Sequence, residues 1–158
     1  MKPVPSDFRL RLRIANSLDQ VWLVRAFLRA VLEEIDVLDV DCVHVQLAVS
    51  EAINNCIEHS YHDGRQGDVD VLLEGNDERL HIEIADDGAP LQLEEIEALL
   101  RRPVPDLIAD LDPRPRGRGL QIIRDTMDSV VFLRQDDRNV VRLQKSLRRH
   151  YAGSEFSI

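Results

Sequence analysis

The chain has 158 residues, the size of one domain that can bury a core without disulfide or metal staples. Its net charge of −9 disfavours nucleic acid and anionic membranes as direct partners, and 44% hydrophobic with 31% charged residues reads as soluble and globular. No run approaches the ~20 apolar residues of a membrane helix, and the opening MKPVPSDFRLRLRI lacks the apolar block of a signal peptide. A cytoplasmic protein is expected. Cys42 and Cys56 fall near or on one helix, roughly 20 Å apart at helical rise, so both are expected to stay reduced.

Phe8, Leu10, Leu12 and Ile14 alternate with arginines, the period-two pattern of a half-buried strand. Asn16 or Ser17 is placed to cap the following segment, where Val21, Val24, Phe27, Leu28, Val31, Leu32 and Ile35 recur at helical spacing. A second helix is predicted from about Asp41 to His62, with Val45, Val49, Ile53, Cys56 and Ile57 on its apolar face. DVDVLLE (68–74) and LHIEIAD (80–86) read as a hairpin across the turn-forming GNDER. Residues 92–100 read as helix. Prolines and arginines between Arg101 and Arg118 mark a long loop of the kind that often carries function. GLQIIRDTMD (119–128) resumes helix, and SVVFLRQ and NVVRLQKSL form a last hairpin around Asp136, Asp137 and Arg138. This order predicts an α+β fold: a two-layer α/β sandwich in which a mixed sheet carries helices on one face, as a single domain over residues 1–158.

Three constellations carry chemistry. In SEAINNCIEHSYHDG (50–64), Ser50, Glu51, Asn54, Asn55, Glu58, His59 and His62 form a polar stripe opposite the apolar face. Such a stripe is ordinary on a surface helix. Two adjacent asparagines in mid-helix are not, since their amides compete with the backbone. A carboxylate and an amide oxygen one turn apart suit a hard cation such as Mg²⁺ at a phosphate site. The H-x-x-H pair His59/His62 makes zinc conceivable, but the string matches neither H-E-x-x-H nor its inverse. In IADDGAPL (84–91), the Asp-Asp-Gly at a strand exit is either a plain turn or a buried Asp86 that accepts from a ligand amine, with Gly88 letting the backbone approach a flat ring. In RPRGRGLQIIRD (114–125), Gly117 and Gly119 precede a helix whose free N–H groups favour an anion, and Arg114, Arg116 and Arg118 add positive charge. Each signal alone is modest. Together they describe a nucleotide site without a P-loop.

With LAVSEAINNCIEHSY, IADDGAPL and GRGLQIIRDTMDSV in that order, the chain resembles the GHKL ATPase superfamily, whose members bind ATP in a Bergerat fold. It is most similar to the small stand-alone branch of anti-sigma-factor serine-protein kinases of the RsbW and SpoIIAB type, from about Phe8 to Leu147. The resemblance implies that Asn55 coordinates Mg²⁺ bridging the ATP phosphates, and that Glu51 acts as general base toward a partner's serine or threonine hydroxyl. It implies that Asp86 accepts from the adenine amine beside Gly88, that Gly117 and Gly119 wrap the phosphates with a lid arginine, Arg114 or Arg116, near them, and that about 91–116 forms the ATP lid. His59 would support the site. Two departures stand out: Pro90 replaces the last glycine of D-x-G-x-G, and Arg138-Asn139-Val140 stands where relatives often carry a Gly-Thr-Thr hydroxyl supporting the adenine aspartate. Weaker nucleotide binding, or a water replacing that hydroxyl, is the expectation.

The implied function is an ATP/Mg²⁺-dependent serine/threonine protein kinase in a partner-switching module. Its substrate would be a STAS-domain anti-sigma antagonist, its captive partner a sigma factor or other regulator, and its state a homodimer. The alternative is a non-catalytic ATP-binding interaction module that sequesters a different regulator. A zinc-binding or plain interaction domain is the third reading.

Overall fold

A computed structural model describes residues 7–76, 78–101 and 118–150. Strand β1 (Asp7–Ala15) leads through a short 3₁₀ turn into helices α1 (Val21–Glu34) and α2 (Asp39–Asn55). After a π-helical turn (Cys56–Ser60) come β2 (Asp68–Asn76), β3 (Arg79–Asp86), α3 (Leu93–Arg101), α4 (Arg118–Thr126), β4 (Ser129–Gln135) and β5 (Arg138–Ser146). The five strands form one sheet in the order β1-β2-β3-β5-β4.

The two-layer sandwich is as expected, but the sheet is antiparallel at every pairing rather than mixed. The reason is one insertion. β4 runs parallel to β3, as a strand-helix-strand crossover requires, but the β4–β5 hairpin places β5 between them, so the two never pair. That hairpin turns on two residues, Asp136 and Asp137, both with positive φ (51° and 60°), the geometry of a type I′ turn, which aspartate tolerates better than most side chains.

Alternation decides the two faces. Ile14, Val69, Val71, Leu73, Leu80, Ile82, Ile84, Val141 and Leu143 point inward and share one core with Val24, Leu28 and Leu32 of α1, Val45, Val49 and Ile53 of α2, and Leu120 and Ile123 of α4. The opposite face mixes apolar side chains such as Leu72, Ala85 and Val140 with cross-strand ion pairs: Arg9–Glu74, Arg142–Glu83, and Asp70 held between Arg13 at 2.7 Å and Arg138 at 2.8 Å. The Arg13 hydrogen bond, with the neighbouring guanidinium charges and despite burial, holds the Asp70 carboxyl below the usual carboxylate range.

Local departures from the sequence reading have physical causes. Ser17 occupies the cap position with extended backbone, yet its hydroxyl donates to the Asp19 carboxylate instead of the helix, and a 3₁₀ turn precedes α1. Asn16 instead fastens the segment before β2: its Nδ2 donates to Arg65 O (2.8 Å) and its Oδ1 accepts from Gly67 N (3.2 Å). The second helix does not run on as α-helix to His62; it ends in the π turn, whose five-residue hydrogen bonds shift the side-chain rows past Asn55. Among the described residues no helix is long and apolar enough to cross a membrane. Cys42 and Cys56 are free and buried.

Candidate functional site

α2 presents Glu51, Asn54 and Asn55, all half-buried, on the side away from its apolar face. α4 packs against this helix, and the contact falls at its first turn. A side-chain carbon added to Gly119 would stand 2.7 Å from Glu51 Oε2 and 3.6 Å from Asn55 Oδ1. The start of α4 therefore lies directly against the E-x-x-x-N pair, bringing together two of the three sequence constellations. The first turn of a helix has free N–H groups and the positive end of the dipole, so this is where an anion would be held. Asn55 Nδ2 is buried without a hydrogen-bond partner. A buried amide donor left unpaired is costly, and an acceptor on a bound ligand would relieve it.

The third constellation ends β3. Asp86 is fully buried, and its carboxylate is engaged from three directions. Oδ1 accepts from Gly88 N and from Asn139 Nδ2, both at 2.9 Å; Oδ2 accepts from Ser60 Oγ at 3.3 Å. The Cys56 thiol also lies against it, and burial with the adjacent Asp86 charge pushes that thiol well above its ordinary value, so it stays protonated. Cys56 and Ser60 bound the π turn that continues α2 past Asn55, so one run of backbone links the Glu51–Asn55 face to Asp86. The next residue, Tyr61, braces the turn by donating to Asp87 Oδ1 at 2.6 Å, and Arg65 covers the Tyr61 ring at 5.8 Å.

Gly88 is a glycine because of Ser60. A side-chain carbon there would sit 2.4 Å from Ser60 Cβ and 2.5 Å from Ser60 O, and the next residue, Ala89, donates its N–H to that same carbonyl at 2.7 Å. The space beside Gly88 in the side-chain direction belongs to the backbone after α2, not to open pocket. Because backbone rather than a flexible tip must move, Gly88→Ala is expected to cost about 2 kcal/mol of stability, read as a lower denaturation midpoint at unchanged m-value.

His59 and His62 are exposed, with His62 Nδ1 2.9 Å from the His59 carbonyl oxygen. Among the described residues no group of three or more His, Cys, Asp or Glu side chains is placed to hold a metal. The first part of the expected lid is α3, whose Ile96, Leu99 and Leu100 pack on the core. Arg114, Arg116 and Gly117 lie outside the described residues.

Asn139 is the residue the sequence reading undervalued. It entered there as the absence of a hydroxyl, with a water or weaker binding as the consequence. It stands directly across from Asp86 in the β3–β5 register and supplies the donor itself. The strand pairing was the missing signal: once β5 rather than β4 neighbours β3, an inward Asn139 must face Asp86.

Residues 14–145 match the histidine kinase-like ATPase domain family. Among curated relatives, a protein of Bacillus velezensis named serine-protein kinase RsbW is 27% identical over 121 residues, covering 77% of this chain and 75% of the relative. Its Staphylococcus aureus namesake is 27% identical over 130 residues, covering 82% and 80% of the two chains. A crystal structure of the RsbU and RsbW domains of a Mycobacterium tuberculosis protein superposes with a TM-score of 0.64 over 90% of this chain and 33% of that one, at 19% identity, a likeness of fold alone. With a family match that spans all three constellations, the chain belongs to the histidine kinase-like ATPase domain family and is similar to the RsbW serine-protein kinases.

Proposed function

We propose that the chain is an ATP/Mg²⁺-dependent serine/threonine protein kinase acting in a partner-switching module. One observation carries the reading: the first turn of α4 abuts Glu51 and Asn55, so a phosphate at that helix end would lie beside a carboxylate and an amide. The donor set fits Mg²⁺, because Asn55 Oδ1 is a hard oxygen ligand and the orphaned Asn55 Nδ2 can donate to a phosphate oxygen. When bound, the ion would neutralise charge on the phosphate chain.

The chain's own residues would do the rest. The α4 N-terminus holds phosphate oxygens, and Asp86 accepts from the adenine amine. Glu51 takes the proton from the partner's hydroxyl as its oxygen bonds to the γ-phosphorus and the bond to the ADP oxygen breaks. Positioning and charge complementarity are most of what phosphoryl transfer asks of a protein. By likeness to the RsbW kinases, the hydroxyl would belong to a STAS-domain antagonist, and phosphorylation would decide whether that antagonist or a sigma factor (or other regulator) is held. The protein would act as a homodimer in the cytoplasm.

The test is to identify proteins retained by the purified chain with and without MgATP, then to assay each for phosphoserine or phosphothreonine. A retained partner phosphorylated only with MgATP is expected. Nucleotide-dependent retention with no phosphate transfer would instead favour the non-catalytic binding module.

A further inference from the structure

We propose that Asn139 is the positioning residue of the base pocket: it aims Asp86 and locks the turn that follows it, so that the site's preference for a base bearing an amine depends on this one amide. The inference rests on the ATP-binding reading above and adds to it a residue and a mechanism.

Every hydrogen-bonding position of the Asn139 side chain is used. Nδ2 donates to Asp86 Oδ1 (2.9 Å) and Ala89 O (2.8 Å), with Ser60 Oγ at 3.2 Å; Oδ1 accepts from Leu91 N (3.0 Å) and Arg134 Nη1 (3.3 Å). The amide orientation follows from chemistry, since a backbone N–H and a guanidinium face one end while a carboxylate and a carbonyl face the other. Asn139 is 1% exposed, so water does not compete for these bonds.

The consequence for Asp86 is directional. Two nitrogen donors occupy Oδ1, while Oδ2 has the long bond from Ser60, and the Cys56 thiol, a weak donor, also lies against the carboxylate. Oδ2 is therefore the oxygen with capacity left for an N–H donor on a ligand. A single threonine or serine hydroxyl could support the carboxylate. It could not also take up both Ala89 O and Leu91 N, the polar backbone groups flanking Pro90. Pro90 has no N–H of its own, Ala89 N is bound to Ser60 O, and Gly88 N to Asp86. The amide thus accounts for both departures from the family pattern: it replaces the hydroxyl and secures a turn stiffened by proline.

The test compares ATP with inosine triphosphate, which carries a carbonyl oxygen in place of the base amine, on the wild type, Asn139→Ala and Asn139→Thr. The wild type is expected to prefer ATP by about tenfold or more, the worth of one charge-assisted hydrogen bond. In Asn139→Ala that preference should shrink about tenfold, the looser turn weakening both nucleotides but ATP about tenfold more than inosine triphosphate; Asn139→Thr, returning one donor, should fall between. If both nucleotides weaken by the same factor in both variants, or neither changes, Asn139 is structural only and the proposal is overturned while ATP binding stands. A wild type that binds both nucleotides equally removes the role of Asp86 in reading the amine, and this proposal with it. A wild type that binds neither overturns the ATP reading itself.

Discussion

Replacing Glu51 with glutamine is expected to lower phosphate transfer to a partner by about a hundred- to ten-thousand-fold, the usual contribution of a positioned general base. Glutamine keeps the shape that packs against Gly119, so the fold and the α2–α4 contact should persist. Nucleotide affinity should hold, since the proton is taken only as transfer proceeds. The assay is single-turnover transfer to a retained partner beside equilibrium nucleotide binding. Loss of both together would mean that Glu51 shapes the pocket rather than the chemistry. Full transfer by the variant would remove its catalytic role.

The largest effect on stability is expected at Asp41, far from the polar stripe. It is fully buried in the first turn of α2 and receives three hydrogen bonds from Arg148: Nη2 at 2.6 Å, backbone N at 2.9 Å and Nε at 3.0 Å. Lys145 Nζ stands 3.9 Å away. Together with Leu38 N donating to Arg148 O at 2.8 Å, this staples the α1–α2 connection to the chain leaving β5. Asp41→Ala strands the backbone N–H of Arg148. The exposed guanidinium regains water, and Lys145 keeps Thr126 O at 2.9 Å. The cost should be about 3 kcal/mol, from the stranded N–H and the lost charge-assisted hydrogen bonds together, which lowers the melting temperature by about 6–12 °C at this chain length.

The same carboxylate sets an acid limit. Burial pushes Asp41 up, but the Arg148 side-chain and backbone hydrogen bonds with the nearby cationic charges outweigh it and hold the carboxyl below its ordinary value. A depressed folded-state value means the unfolded chain binds the proton more readily. The stabilisation is therefore complete above about pH 4 and lost as pH falls through the folded value. Asp70, lowered by Arg13 and Arg138, and Asp128, lowered chiefly by the Ser146 backbone N–H, act in the same window and direction. Urea midpoints of the wild type should fall steeply below about pH 4, and the fall should be shallower in Asp41→Ala.

The strands were legible because burial on one face favours period two: Phe8–Ile14 and 80–84 alternate cleanly, whereas Leu72 and the apolar run 130–133 break the pattern in the other two. Glu51–Asn55, Asp86-x-Gly88 and Gly119 stood out as short local patterns, although what lies against the two glycines, Ser60 and Glu51, is distant in the chain. What stayed hidden was nonlocal. Asn139 meets Asp86 across 53 positions, and Arg148 meets Asp41 across 107. Neither pairing can be read before the strand order is known. The π turn was hidden for another reason: Cys56–Ser60 has an ordinary helical composition, and the widening serves to bring Ser60 under Asp86 and Gly88.

Calorimetric titration of MgATP into the purified wild type, with Asn55→Ala alongside, tests the central claim most directly. The account predicts saturable one-to-one binding to the wild type, weakened at least about tenfold in the variant by loss of a charge-assisted contact to the phosphate–metal group. No saturable binding by the wild type, or equal binding by both proteins, would contradict it.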